Sequence, residues 1–445
     1  MQTYVLNGKN KYWSLYKKLR GDILEGRLKN GERLPSKRAL AESLNVSVIT
    51  VQSAYDQLLA EGYAYSKERS GYFVSDVNVE FYGKRDAPPA DVRQEKKFAL
   101  DFVKGTASSL FPFSTWAKLM RTVLSDCGEH LLERVPCDGD AELKNAVSSY
   151  LYRARGIDAD PRCVVIGAGA EYLYGVIVQL LGRDKLFAVE NPGYGKISKT
   201  YNLNGAKCVY IPVTDAGVDC RAVEESGADV LHFSPSHQFP TGAVTPASSR
   251  ARLIGWADSV DGYVVEDDYD SEFRLSGKPL QSMFSLCPDR VIYMNTFSKS
   301  LAPSMRMGYM VLPPALYEKY LRLFSHSANV VPLFEQKTLA KMLDGGYFER
   351  HINRLKNYYR TVRQAVLDKA RQLCVRDIKD TGSGLHLLVS FDGASDKILK
   401  EQAAQRGINL KCLSDYLLAP MDGTEGWAVI NYAGATPEGV AAVKV

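Results

Sequence analysis

The chain has 445 residues, 45% of them apolar and 24% charged, and a net charge of +5. That balance is ordinary for a soluble globular protein with a sizeable core, and the length predicts two or three folding units. No run approaches 18 apolar residues and the N-terminus lacks the apolar core of a signal peptide, so the sequence argues against a membrane or secreted protein and a cytoplasmic one is expected.

The charge is uneven. Residues 1–78 hold 12 Lys/Arg against 8 Asp/Glu, so most of the positive excess lies at the N-terminus and favours an anionic partner there. The eight cysteines form no C-x-x-C pair and read as buried free thiols of a reducing compartment. The six histidines show no ligand spacing, and no metal site is expected.

The first predicted helix spans Trp13 to Gly26, with an apolar face at Leu15, Tyr16, Leu19, Ile23 and Leu24. Leu34-Pro35-Ser36 breaks the chain, and Ser36 can cap a short helix over Lys37–Leu44. Asn45-Val46 turns, and Ser47 caps a third helix with the stripe Val51, Ala54, Tyr55, Leu58, Leu59. Gly62 stops it. Tyr63–Tyr65 and Tyr72–Val74, joined by the polar tip Ser66–Gly71, predict a hairpin. This order is that of a winged helix-turn-helix, with the third helix entering a major groove and the hairpin lying along the backbone. Candidate DNA contacts are Ser36, Arg38, Ser47, Val48, Thr50, Gln52, Lys67 and Arg69. Val48 can touch a thymine methyl but cannot bond a guanine edge or a phosphate.

The mixed charge and double proline of residues 79–98 predict a linker. The body, 99–445, alternates short apolar strands with helices: Val164–Ile166, Lys185–Val189, Cys208–Pro212, Val230–Phe233, Gly262–Glu266 and Val291–Met294. The implied fold is α/β, a mostly parallel sheet covered on both faces. Ligands of such sheets bind beyond the C-terminal strand ends. There the sequence puts Gly169-Ala170-Glu171 opening a helix, Tyr194 in a turn, His237-Gln238 in another, Asp267 and Tyr269 two apart, and Thr296, Ser298, Lys299 and Arg306. A lysine among hydroxyls with a following arginine can form a Schiff base beside a phosphate, and a strand-end carboxylate can keep a pyridine nitrogen protonated. These are the parts of a pyridoxal phosphate site.

Leu34-Pro35-Ser36 with Glu61-Gly62-Tyr63 makes the head resemble the GntR family of winged-helix regulators, although that family usually carries an arginine where Val48 stands. The body resembles class I aminotransferases of fold type I. The combination resembles the MocR subfamily, through Gly105, Phe111-Pro112, Trp116, Arg155-Gly156, Ser236–Gly242 and Gly384-Leu385-His386. The resemblance implies that Lys299 carries the cofactor, Asp267 (with Asp268 as the alternative) pairs with the pyridine nitrogen, and Tyr269 meets the ring oxygen. It further implies that Tyr194 stacks on the ring, and that Ala170, Glu171, Thr296, Ser298 and Arg306 surround the phosphate. Gln238 is a further candidate contact. It also implies a homodimer with exchanged heads. Val429 stands where the aminotransferases hold the substrate carboxylate with an arginine, so net transamination is not expected; Asn431 and Lys196 are candidate effector contacts. The expectation is a DNA-binding regulator that senses pyridoxal phosphate or a small amine. An active aminotransferase with a DNA-binding head and a cofactor-free dimerisation scaffold are the alternatives.

Overall fold

The computed structural model describes residues 4, 6, 10–77, 98–104, 110–276, 280–373, 375–391, 393 and 395–443. The expected linker (79–98, apart from residue 98), Gly105 and Cys374 lie outside them. The chain divides into two compact units, Met1–Glu95 and Lys96–Val445.

In the first unit, α1 (Lys11–Leu24) starts two residues before the expected position and buries Leu15, Tyr16, Leu19 and Ile23 on one face. Leu24 is only half-buried. Ser36 caps α2 (Lys37–Leu44) by accepting from the Ala39 N–H at 3.2 Å. Asn45 ends it in the left-handed region at φ 50°. Ser47 caps α3 (Val48–Ala60) by accepting from the Thr50 N–H at 3.1 Å. The hairpin is β1 (Ala64–Lys67) and β2 (Gly71–Val74), in register Tyr65 opposite Phe73. Arg69 (φ 57°) and Gly71 (φ 107°) make its turn. One core of Leu15, Leu19, Leu40, Val51, Tyr55, Leu58 and Val74 joins helices and hairpin. Each full burial of a large apolar side chain contributes about 1.5–3 kcal/mol.

The second unit begins with β3 (Leu100–Asp101), α4 (Phe113–Cys127) and α5 (Ala141–Arg155). The strands of its main sheet are β4 (Val164–Gly167), β5 (Leu186–Asn191), β6 (Lys207–Thr214), β7 (Gly217–Val218), β8 (Val230–Phe233), β9 (Tyr263–Asp267), β10 (Val291–Thr296) and β11 (Gly308–Val311). Their spatial order is β4-β11-β10-β9-β8-β5-β6-β7. Neighbours from β6 through β10 pair in parallel, whereas β11 runs antiparallel to both β10 and β4. Between the strands lie α6 (Ala170–Leu181), α7 (Lys196–Leu203), α8 (Cys220–Glu225) and α9 (Ala247–Ser259). Apolar clusters fill both faces, which is why β4 and β8 are buried at every residue.

After α10 (Pro314–Phe324), α11 (Leu333–Asp344) and the 26-residue α12 (Tyr347–Gln372), a small antiparallel sheet forms. It contains β12 (Asp377–Lys379), β13 (His386–Ser390), β15 (Lys411–Cys412) and β16 (Trp427–Asn431), in order β12-β13-β16-β15. Helix α13 (Asp396–Gln405) precedes β14 (Ile408–Asn409), which pairs with β3, and α14 (Pro437–Ala441) follows β16. No described helix is long and apolar enough to cross a membrane.

Candidate functional site

The site is built from the turns and helix starts at the C-terminal ends of the main-sheet strands. Strand β9 delivers two adjacent carboxylates to opposite faces, as the period-two geometry of a strand requires. Asp267 accepts from the Tyr174 hydroxyl of α6 at 2.7 Å and lies 3.4 Å from His232 Nε2 on β8. Asp268 turns the other way, to the Arg155 guanidinium at 2.8 Å and the Tyr293 hydroxyl at 2.6 Å. Burial works against the Arg155 charge, but Asp268 and its neighbours outweigh that and hold the guanidinium charged. Asp268 is thus consumed by a buried ion pair, and Asp267 faces the side on which Tyr269 lies. Burial raises the Tyr269 phenol well above its ordinary range, with the charges of Asp270 and Asp267 adding to it.

Beyond Tyr269 the structure assembles a group that spacing along the chain does not show. The Tyr269 hydroxyl and His237 Nδ1 are 3.3 Å apart, and His237 Nδ1 donates to Asp270 Oδ2 at 3.0 Å. The His386 ring lies 4.5 Å from that of His237. His237, Asp270 and His386 bring potential ligating atoms within 4.8 Å of one another, a convergence that the metal-spacing argument could not see. Burial, then the nearby His237 and Lys299 charges, push His386 well below the ordinary histidine range and keep it neutral. His237 Nε2 and His386 Nε2 are buried with no hydrogen-bond partner among the described residues.

Lys299 follows β10. Burial lowers its ammonium below the ordinary lysine range, with Asp270 opposing. A lysine so placed carries more of the neutral, nucleophilic amine at neutral pH, which Schiff-base chemistry requires. Asn295, at the end of β10, donates to Glu272 at 3.0 Å and so ties this strand to the segment after β9. Behind the cleft, burial pushes Glu190 up to about 8, against a Ser234 N–H at 3.3 Å and the Gln238 side chain.

An anion cradle forms where β4 meets α6. Gly169 has φ 85° and opens the helix, whose first N–H groups are unpaired within it. Arg306 sits in the left-handed region at φ 47°, an unusual conformation for a non-glycine residue that fixes its direction. Its Nη2 donates to the Ala168 carbonyl at 3.0 Å and to Glu171 Oε2 at 2.9 Å. A Cβ on Gly169 would come 3.2 Å from the guanidinium carbon, so glycine leaves the approach open. Ala170 is half-buried at the first helical position, Thr296 is buried and Ser298 half-buried.

Four candidates are placed differently from expectation. The Glu171 carboxylate binds Arg306 and Lys196, both at 2.9 Å, so a like-charged phosphate finds only its backbone N–H. The same pair engages Lys196, whose ammonium also lies 5.9 Å from the Tyr194 ring centroid. Gln238 spends its amide on bonds within its own turn and to the neighbouring Glu190–Pro192 segment. It donates to the Pro192 and Phe239 carbonyls and accepts from Thr241 N–H and Oγ1. It is therefore a structural residue, and its neighbour His237 is the one that reaches Tyr269. Asn431 Oδ1 caps its own turn by accepting from the Ala433 N–H at 3.1 Å.

Tyr194 is 43% exposed, with its ring edge-on to Phe239 at 6.3 Å. Phe239 leads to the opposite wall. There Val429 is buried with Leu388 and Leu413 beneath Phe239, Tyr416 and Trp427. Apolar and aromatic surface occupies the place expected for a carboxylate clamp.

In the first unit, the exposed start of α3 presents Val48 and Ile49, 44% and 77% exposed, beside the exposed Ser36, Arg38 and Ser47. The Ser47 and Thr50 hydroxyls bond each other at 2.8 Å. Gln52, expected to reach DNA, is held between Lys37 and Asp56 and so orders the α2–α3 pair. On the hairpin, Tyr65 stacks on Phe73 at 5.7 Å, Lys67 lies over both rings, and Arg69 is exposed at the tip.

Together these are a winged helix-turn-helix and a fold-type I aminotransferase-like body in one chain. Residues 11–74 match the gntR family of bacterial regulatory proteins, and residues 106–443 match the aminotransferase class I and II family. The chain is 36% identical to YdeL, an HTH-type transcriptional regulator of Bacillus subtilis (strain 168), over 90% of this chain and 88% of that one. It is 33% identical to the probable rhizopine catabolism regulatory protein MocR of Rhizobium meliloti, over 95% and 90%. The body's fold is that of the Pyrococcus horikoshii kynurenine aminotransferase structure, with TM-score 0.69 and 23% identity over 82% of this chain and 96% of that one. The chain belongs to the MocR-type subfamily of GntR transcriptional regulators. Its aminotransferase-like body implies pyridoxal phosphate as cofactor, and the residues fit that group: a lysine with a lowered ammonium, a strand-end carboxylate, a phenol, and a guanidinium at an open helix start.

Proposed function

We propose that this regulator is a cytoplasmic homodimer in which the head binds operator DNA and the body binds pyridoxal phosphate through Lys299, with the cofactor or a small amine as effector. The observation that supports it best is the lowered Lys299 ammonium beside Asp270, His237 and Tyr269, in the same chain as a capped recognition helix. When bound, the cofactor supplies an aldehyde for Schiff-base formation and an electron-withdrawing ring.

The chain's own residues then divide the work. Asp267, oriented by Tyr174, holds a proton on the pyridine nitrogen. Tyr269 hydrogen-bonds the ring oxygen, and its contact with His237 fixes the phenol's direction. Arg306, now bonded to Glu171, and the backbone N–H groups at the start of α6 would hold the phosphate. Tyr194 covers the ring. In the wall of Val429, Phe239, Tyr416 and Trp427 a valine stands where a bidentate guanidinium clamp is expected, which disfavours an α-amino acid and supports binding without turnover. An effector changes operator affinity only by binding one arrangement of the protein more tightly than another.

On the DNA side, Ser36, Ser47 and Thr50 contact phosphates, with Arg38, Lys67 and Arg69 adding charge, and Val48 and Ile49 meet thymine methyls. Absorbance of the purified protein with a panel of amines, beside Lys299→Ala, tests the core of this reading. The wild type shows a visible Schiff-base band that amines shift, and the variant shows none. A band that persists in Lys299→Ala refutes the assignment. Sustained keto-acid production from amino donors favours a working aminotransferase instead.

A further inference from the structure

On the Asp268 side of β9, a cavity of about 320 Å3 opens between the end of α5, the segment after β9 and the first turns of α12. That size suits a small ligand. Its wall carries five buried polar atoms with no hydrogen-bond partner among the described residues: Arg155 Nε, Arg274 Nε, Ser271 Oγ, Glu272 Oε2 and Glu349 Oε2. Buried polar groups are nearly always satisfied, so five on one wall mark a place built for something polar.

The charges on that wall decide what. Asp268 neutralises Arg155, and Arg153 pairs with Glu349 at 2.8 Å. Arg274 and Lys356 remain as further cations. Burial disfavours the charge of each, with Glu272 opposing at Lys356. The remaining acid, Glu272, is pushed up to about 7, first by burial and then by the Asp268 charge, so near neutral pH it carries a proton much of the time. The cavity is left with surplus positive charge and with aimed donors at Arg155 Nε, Arg274 Nε and Ser271 Oγ.

We propose that this cavity is a second ligand site, separate from the cofactor cradle, that takes a small oxyanion, a carboxylate or a phosphate. Two guanidinium nitrogens and a hydroxyl match the oxygens of either group. Ser271 and Glu272 directly follow Asp270, and Glu272 accepts from Asn295 on the strand leading to Lys299. An anion held here therefore stiffens the segment that carries Asp267, Tyr269 and Asp270.

The test uses the full chain, with calorimetric titration and thermal unfolding in inorganic phosphate, succinate or chloride at matched ionic strength. Expected is a saturable rise in Tm with phosphate or succinate and not with chloride; whichever binds more tightly names the natural group. Arg306→Gln, which disables the cofactor cradle, keeps the effect. Arg274→Gln weakens binding at least tenfold, and so does Lys356→Gln, whose side chain is half-buried. The proposal is overturned if the wild type shows no anion-specific saturable effect, as a water-filled cavity would give. It is also overturned if Arg306→Gln abolishes binding, or if both Arg274→Gln and Lys356→Gln retain it.

Discussion

Replacing Asp268 by Asn removes the charge 2.8 Å from Arg155 and weakens the acceptor for the Tyr293 hydroxyl at 2.6 Å. The Arg155 and Asp268 side chains are 7% and 1% exposed, so the guanidinium is left uncompensated in the interior. Breaking such a pair from one side costs about 3–5 kcal/mol. At about 2 °C per kcal/mol for a large domain, Tm of the body falls by roughly 6–10 °C. Asp267→Asn differs, because the amide oxygen still accepts from Tyr174 at the 2.7 Å position, and the loss is about 1 kcal/mol. That variant instead loses the charge that holds a proton on the cofactor nitrogen, and cofactor binding weakens at least about tenfold, or ~1.4 kcal/mol. Calorimetry of the cofactor-free variants, with cofactor titration followed at the visible band, separates the two. Equal losses of Tm, or unchanged cofactor affinity in Asp267→Asn, would refute the division of labour argued from β9.

Gly384→Ala places a methyl 2.0 Å from His237 Cε1 and 2.4 Å from Asp270 Oδ2, at φ 69°. Overpacking there costs about 1–3 kcal/mol, and the visible band of the bound cofactor should shift as the His237–Asp270 pair is displaced; an unshifted band and unchanged Tm sink this. Ser47→Ala removes the α3 cap and costs the head about 0.5–2 kcal/mol, read in its unfolding transition together with weaker operator binding. Glu190 has a folded pKa of about 8 against an ordinary 4.5. The folded state thus binds the extra proton, and the stability it brings is complete below about 4.5 and lost as pH rises through about 8. Unfolding followed from pH 6 to 9 should show this fall, and Glu190→Gln should flatten it.

What was legible in the sequence was whatever depends on neighbours along the chain. Ser36 and Ser47 announce their helices because a cap acts on an N–H three residues away. The strand-end positions of Asp267, Thr296 and Lys299 follow from apolar runs that stop just before them. Strand β11 was not anticipated: Gly308–Val311 takes its place by pairing antiparallel with β4 and β10, partners that are distant in sequence or run against the parallel pattern of the rest. Side-chain partners were equally hidden. Gln238 and His237 are adjacent, and nothing local says that one closes a turn while the other meets Asp270, 33 residues away. Nor does Glu171 declare that it bridges Arg306 and Lys196, because those contacts span 135 and 25 residues.

The segment from Asp267 to Arg274 explains why so much of the body's chemistry converges on one stretch. Asp267, Tyr269 and Asp270 serve the Lys299 side. Asp268 holds Arg155 on the other face, and Glu272 joins that face to β10 through Asn295. An acid on each side of β9 keeps the strand end from rotating, since rotation would strand either Arg155 or Tyr174 without its partner.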